Sequence, residues 1–359
     1  MARKLRVQFP GAIYYLMNRG DHQEAIFHDD TDRELFLSTL TEVCGKAAWQ
    51  IQALCLMRDY FHMVMETPLP NLVNGMKWFL GTYSARFNRR RKFTGHVFSG
   101  RYKSLLVGGE GGSLRAACDY VHLDPARTKL LEADQPLRSY PWSSFPLYLL
   151  PASQRPGWLK VEKVLAEWGI SQDTPSGRQL FEQGLEARRA QEQQDELQPS
   201  RPGWWLDRKK LQESPLEAIG KEPASHHHGH AVQQSAEERA NRIVEAELRN
   251  VGWTERELVE TRKGDVRKLH IARRLRSGTT MTLKWIADRL HMGASTHLSH
   301  LLYWEKRRKS EQSKSSACRD ATCGIPERLE TDPSIESRNE HEGSSILWTD
   351  PELFDPTFD

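Results

Sequence analysis

Tyr120 and Asp124 stand four residues apart in the stretch CDYVHLDPARTKLL. On a helix that spacing puts both side chains on one face. A phenol beside a metal-binding carboxylate suits attack on a phosphodiester. A divalent metal polarises the phosphate, and the strand is held as a phosphotyrosine ester. The tyrosine later leaves as a phenolate, so the bond energy is kept and no nucleotide cofactor is needed. His62 is the second candidate, in the strand-like run CLMRDYFHMVMET, with Tyr60 two residues before it. On a strand the two share a face. Taken singly, His62 reads as a core histidine and Tyr120 as a packing tyrosine. Their combination with Asp124 raises the chemical reading.

The surrounding patterns supply elements that could hold these groups. AIYYLMNRG (12–20) reads as a first strand ending at Gly20. HDDTDRELFLSTLTEVCGKAAW has Phe36, Leu37, Leu40 and Val43 at helical spacing, with Gly45 near its end. WQIQALCLM and FHMVMET read as two strands joined around Arg58 and Asp59. NLVNGMKWFLGTYSARFNRRRK (71–92) reads as a second helix, and HVFSGRYKSLLVGG as a further strand or hairpin. SLRAACDYVHLDPARTKLL starts a third helix, with Ser113 as its expected cap and a break expected near Asp124, before Pro125. The order βαββαβα predicts an α+β fold with a small antiparallel sheet.

Beyond this body, which closes at YPWSSFPLYL, residues 151–235 are rich in Pro, Gln, Ser and Gly and read as a linker with local helix. Residues 236–310 are helical in pattern. TLKWIADRLHMGASTHLSHLLYWEKRRK reads as helix, turn, helix, with Leu283, Ile286, Ala287 and Leu290 on one apolar face. The alternative for that segment is an ordinary helical bundle. The 311–359 tail is acidic and Ser-rich and reads as disordered.

The net charge of +3 hides an uneven distribution. Residues 1–150 hold 19 Lys and Arg against 14 Asp and Glu, residues 239–310 hold 17 against 8, and residues 311–359 hold 4 against 12. Two basic bodies suit a polyanion such as nucleic acid, though solubility alone explains charge equally well. The five scattered cysteines include no CxxC pair and fit a reduced, cytoplasmic protein better than a secreted disulfide scaffold. No apolar run approaches the ~20 residues of a membrane span, and the basic start lacks the apolar core of a signal peptide. SHHHGH (225–230) could hold a transition metal but reads as an adventitious polar tract. Oligomeric state is left open.

Taken in order, GAIYYLMNRGD, IFHDDTDRELF, CLM…FHMVMETP, NLVNGMKWFLGTYSARFNRRRK, GHVFSGRYKSLLV, CDYVHLDPAR and YPWSSF resemble the single-tyrosine HUH transposases, in the REP-associated tyrosine transposase branch. KGDVRKLHIARRLRSGTTMTLKWIADRLHMG resembles the helical C-terminal extension of some members. The resemblance implies a ferredoxin-like palm with helices on one face of the sheet. It also implies cleavage of single-stranded or hairpin DNA through a 5′-phosphotyrosine, with a Mg²⁺ or Mn²⁺ ion. Tyr120 matches the nucleophile, His62 the second histidine of the His–hydrophobic–His motif, and Asp124 the third ligand, where the branch usually has Asn. Tyr60 departs from the pattern, standing at the degenerate position of the first histidine. Arg58 and Asp59 also depart, as do Tyr15, where a histidine is common, and Ala126. A neutral phenol is a poor divalent-ion ligand, so the metal is expected to be weakly held. Asp59 should face away from Tyr60 and His62, and His122 away from Tyr120.

The DNA-handling candidates are Arg86, Arg89, Arg90, Arg91 and Lys92 at the end of the second helix, interleaved with Tyr83 and Phe87. Arg101, Tyr102 and Lys103 beside Gly100 join them, with Arg273, Arg274 and Lys284 in the basic C-terminal helices. Cations neutralise phosphates and aromatic rings stack on unpaired bases. Two main readings follow: a metal-dependent transposase that cuts and rejoins DNA, and a DNA-binding descendant that no longer cuts. A helix-turn-helix regulator with an unrelated N-terminal fold is a weaker third.

Overall fold

A computed structural model describes residues 6–108, 112–194, 228–305 and 307. The chain divides into two compact units, the second beginning at Ser235. The first unit is built on a four-stranded sheet, β1 (Ala12–Arg19), β2 (Gln50–Leu56), β3 (Tyr60–Thr67) and β4 (Lys103–Leu106), in the order β2-β3-β1-β4. Every pairing is antiparallel, with Met17 opposite His62 and Cys55 opposite His62 on the other side. Helices α1 (Asp30–Ala47) and α2 (Leu72–Arg91) interleave with the strands as βαββαβ, the ferredoxin-like order. Asp29 caps α1 by accepting from the Asp32 N–H.

The pleat sorts the side chains of β3 into two sets. Phe61 packs on Phe36 of α1 at 4.8 Å and on Phe79 of α2 at 6.3 Å, while Phe36 and Phe79 meet at 4.9 Å. His62 faces the other way, toward α3 (Ser113–Arg127). The expectation of helices on a single face is therefore corrected: α1 and α2 cover one face and α3 the other. The reason lies in β3 itself, which is buried at every position from Phe61 to Thr67 and needs cover on both sides.

Helix α3 also differs from expectation at both ends. Gly112, with φ +88°, precedes it in the cap position, and Ser113 is its first helical residue. Pro125 lies inside the helix, which ends two residues later at Arg127. A proline so near the C-terminus removes one donor without interrupting a long ladder, so Tyr120 and Asp124 remain on one continuous helix.

Residues 151–194, expected as linker, pack onto this body. After the short α4 (Phe145–Tyr148) and α5 (Glu162–Glu167) comes α6 (Pro175–Gln194). The ring of Phe181 in α6 is fully buried, stacked on Tyr148 at 4.9 Å and edge-on to Trp168 at 5.7 Å. Composition suggested a linker because polar residues dominate α6; Phe181 and Leu185 carry its packing, both fully buried.

The second unit is helical: α7 (His228–Val251), α8 (Glu255–Glu260), α9 (Val266–Gly278), α10 (Leu283–Arg289) and α11 (295–305). Ile286, Ala287 and Leu290 bury against Val244, Leu269 and Ile271, and Leu283 packs at the edge of that cluster. Between α10 and α11 the chain turns through His291 and Gly293, with φ +52° and +84°. Among the described residues no helix is long and apolar enough to cross a membrane. Most of the 151–235 segment beyond 194, the start of the histidine tract and the acidic tail lie outside the described residues.

Candidate active site and nucleic-acid surfaces

The face of the sheet under α3 gathers the residues singled out for chemistry. Tyr15 on β1, Tyr60 and His62 on β3, and Tyr120 and Asp124 on α3 meet around one point. The Tyr15 and Tyr120 rings lie 6.0 Å apart edge to face, as do His62 and Tyr120, and Tyr60 and His62 lie 5.8 Å apart. Antiparallel register brings Tyr15 beside His62, and the four-residue step on α3 drops Asp124 onto the same spot.

The polar groups form a chain. Tyr60 donates its O–H to Asp124 Oδ2 at 2.6 Å. His62 Nε2 lies 3.3 Å from the same oxygen, at ion-pair distance but out of line for a hydrogen bond. Tyr15 Oη is 3.3 Å from His62 Nδ1. Burial, assisted by the Asp124 charge and hydrogen bond, pushes the Tyr60 phenol pKa far up. Burial, then the Tyr120 and Asp124 charges, does the same to Tyr15. Burial lowers His62 below its ordinary 6.5 although Asp124 pulls the other way. Burial thus keeps Tyr15, Tyr60 and His62 neutral beside Asp124, and the Tyr120 ring completes the centre. In the Tyr15–His62 contact the donor is set by the tautomer of the ring.

This donor set does not suit Mg²⁺ or Mn²⁺. Those ions favour several hard oxygen ligands, mostly anionic. The site offers one carboxylate, and Tyr60 already donates to it. Among the described residues no group of three or more His, Cys, Asp and Glu could hold a metal ion. Cys55 lies opposite His62 but is fully buried with its thiol pKa pushed well up by burial. His122, as expected, faces elsewhere, with Nε2 3.0 Å from Ser144 Oγ.

Tyr120 is held by a clamp that sequence reasoning missed. The Arg127 guanidinium stacks 4.5 Å over the Tyr120 ring and donates to the Tyr120 carbonyl at 2.8 Å. Two further N–H groups of Arg127 go to the Glu192 carboxylate of α6, both at 2.8 Å. Arg127 could have been suspected from its place in the third helix. Glu192, in a stretch read as linker, carried no local signal.

The expected DNA-handling residues fall into two groups. Arg90 and Arg91 both bind Asp29 and Asp32, and the Asp32 side chain is wholly buried. Arg86 bonds Thr39 at 2.8 Å and Glu42 at 2.6 Å. In the second unit Arg273 meets Glu305 and Arg274 meets Glu247. Arg89, Lys92, Arg101, Lys103 and Lys284 are exposed. Tyr102 is corrected as a base-stacking candidate: its ring is buried, with Arg6 stacked on it at 3.9 Å. Tyr83 and Phe87 are core as well, Tyr83 donating to the Ile26 carbonyl at 2.5 Å. A cleft of about 690 Å³ opens beside the β2–β3 turn, lined among others by Arg58, Asp59, Phe87 and Phe93. Arg58 is exposed there and Phe93 keeps 43% of its surface in solvent, so the cleft joins a cation to an open ring.

Comparison with known proteins gives one family match, to the model described as "Transposase IS200 like", over residues 9–123. No curated protein matches. Among solved structures, one described as "Structure of the REP associates tyrosine transposase bound to a REP hairpin" aligns at 12% identity, covering 42% of this chain and 86% of that one, with a TM-score of 0.35. The matched segment runs from before β1 into α3 and includes Tyr15, Tyr60, His62 and Tyr120. Over that segment the chain is similar to the IS200-like transposases.

Proposed function

We propose that the protein is a transposase-type DNA-binding protein that recognises single-stranded or hairpin DNA and does not cut it by metal-dependent chemistry. The observation that carries this reading is the 2.6 Å hydrogen bond from Tyr60 to Asp124, which engages the one carboxylate of the centre. DNA as partner is supported by the family match and by the exposed cations Arg89, Lys92, Arg101 and Lys103. Their contribution is neutralisation of phosphates, and it weakens with salt. The cleft by Arg58 and Phe93 has room for an unpaired nucleotide, with a ring for stacking and a guanidinium for phosphate. The basic second unit adds duplex or hairpin affinity, with α10 and α11 as a helix-turn-helix and Lys284 as its exposed cation. The first unit acts as the DNA-recognising palm, and the protein works in the cytoplasm.

A second reading keeps strand transfer. It is favoured by Tyr120, which is clamped by Arg127 and surrounded by His62 and Tyr15, as a positioned nucleophile would be. In that case the Tyr120 hydroxyl gives up its proton as its oxygen attacks phosphorus, the bond from phosphorus to the deoxyribose 3′-oxygen breaks and that oxygen takes up a proton, and the strand stays on Tyr120 as a 5′-phosphodiester.

Labelled hairpin-bearing single strands separate the two readings. Salt-sensitive binding without a covalent adduct, in Mn²⁺ as in EDTA, supports recognition alone. An adduct that disappears in Tyr120→Phe establishes strand transfer instead. No binding of either kind at low salt sinks both.

A further inference from the structure

We propose that Tyr15 and Tyr60 act as a pair of latches that close the His62–Asp124 centre to divalent cations. The inference rests on the DNA-recognition reading for its biological sense, but its chemistry stands on the centre alone. A metal ligand needs a lone pair aimed at the ion. Tyr60 sends its O–H into Asp124 Oδ2 at 2.6 Å, so a cation approaching that oxygen meets a hydrogen first. Tyr15 sits 3.3 Å from His62 Nδ1 and is itself only 2% exposed. A phenol donating to Nδ1 places the imidazole proton on Nε2, the nitrogen that faces Asp124. Metal-binding histidines have the opposite polarity, with one nitrogen bare toward the ion and the other donating outward. Each tyrosine therefore occupies a lone pair on one of the two strong ligands, Oδ2 of Asp124 and Nδ1 of His62.

Packing keeps the latches shut. The His62 side chain is 1% exposed and that of Asp124 8%, so water has little room to replace a broken hydrogen bond. Opening the Tyr60 latch would leave a buried carboxylate short of a donor, which is costly. A cation would also need ligands beyond His62 and Asp124, and the described residues supply no third acid, histidine or cysteine in reach. Tyr60 stands where a replacement ligand can be introduced by one substitution, because it shares a strand face with His62 and already touches Asp124.

The test is Mn²⁺ binding by the full chain, read by the electron paramagnetic resonance signal of free Mn²⁺. It requires no DNA and no activity. The wild-type protein is expected to show no site that depends on His62. Tyr60→His combined with Tyr15→Phe, which opens both latches, is expected to gain one site, bound about tenfold or more tightly than any in the wild type, and to lose it again when His62→Ala is added. The His62→Ala arm separates this centre from the histidine tract at 225–230. A wild-type site that vanishes in His62→Ala overturns the proposal, and that measurement needs no variant at Tyr60. A Tyr15→Phe/Tyr60→His protein with unchanged circular dichroism and no new site overturns it too. Hairpin binding in EDTA is measured in parallel: its absence counts against the proposed function and leaves the Mn²⁺ result standing.

Discussion

Replacing Arg90 and Arg91 together by glutamine should unfold the protein far more readily, because these arginines serve a buried acid. Asp32 lies in the first turn of α1 with no exposed surface. It accepts the His28 N–H at 2.9 Å, two bonds from Arg91 at 2.6 and 3.1 Å, and a further close bond from Arg90. Removing one arginine leaves the other in place, so each single variant should lose about 1–2 kcal/mol, near the worth of a charged hydrogen bond. Removing both strands a carboxylate in the interior, and the loss should reach about 3–5 kcal/mol. Arg89→Gln with Lys92→Gln touches only exposed side chains and should change stability by less than about 0.5 kcal/mol. Urea unfolding followed by circular dichroism reads both pairs. The same proteins are then titrated with hairpin DNA at several salt concentrations. Loss of Arg89 and Lys92 should reduce the salt dependence by up to ~0.9 per lost phosphate contact. If Arg90→Gln/Arg91→Gln folds as stably as wild type while its salt dependence collapses, the two arginines are DNA contacts and the reasoning fails.

Three further expectations follow from other contacts. Hydrogen bonds from Arg90, then burial working against them, hold the Asp29 carboxyl below its ordinary 3.8. That stability is present above the unfolded carboxyl's range and is lost as pH falls through the lower folded value, so Asp29→Asn should flatten the acid limb of a pH–stability curve below about pH 4. Arg127→Gln and Glu192→Gln should show a coupling of about 1 kcal/mol in a double-mutant cycle on urea stability, the upper range for a half-exposed pair with good geometry; additivity would mean the clamp is not formed in solution. Phe181→Ala should cost about 3–5 kcal/mol as a large buried ring is lost, and limited proteolysis should then cut near α6; a protected, stable variant would refute its docking.

How far the site was legible depends on the distance in sequence over which its parts communicate. Tyr120 and Asp124 could be placed on one helix face because a helix repeats within four residues, and Tyr60 and His62 on one strand face because a strand repeats within two. Pro125 misled only about where the helix would stop, since the cost of a proline depends on how much helix follows it. The arginine cluster was visible as charge, but charge gives no sign of a partner. Asp32 lies 58 residues before Arg90, and only the packing of α1 on α2 reveals that Arg90 and Arg91 serve a buried acid. Tyr102 was misread for a similar reason: a strand-edge aromatic looks exposed until Arg6 covers it.

The sequence by itself determined the order of strands and helices, the α+β class and the identity of the residues on each face, because these follow from local periodicity; the ferredoxin-like palm was implied by the family resemblance. Tertiary structure alone decided that α3 lies on the face opposite α1 and α2, that a polar helix taken for linker supplies Glu192 to the Tyr120 clamp, and that Tyr60 bonds Asp124. Those outcomes join residues 64 and 65 positions apart. They depend on sheet register and burial, and no short-range pattern encodes either one.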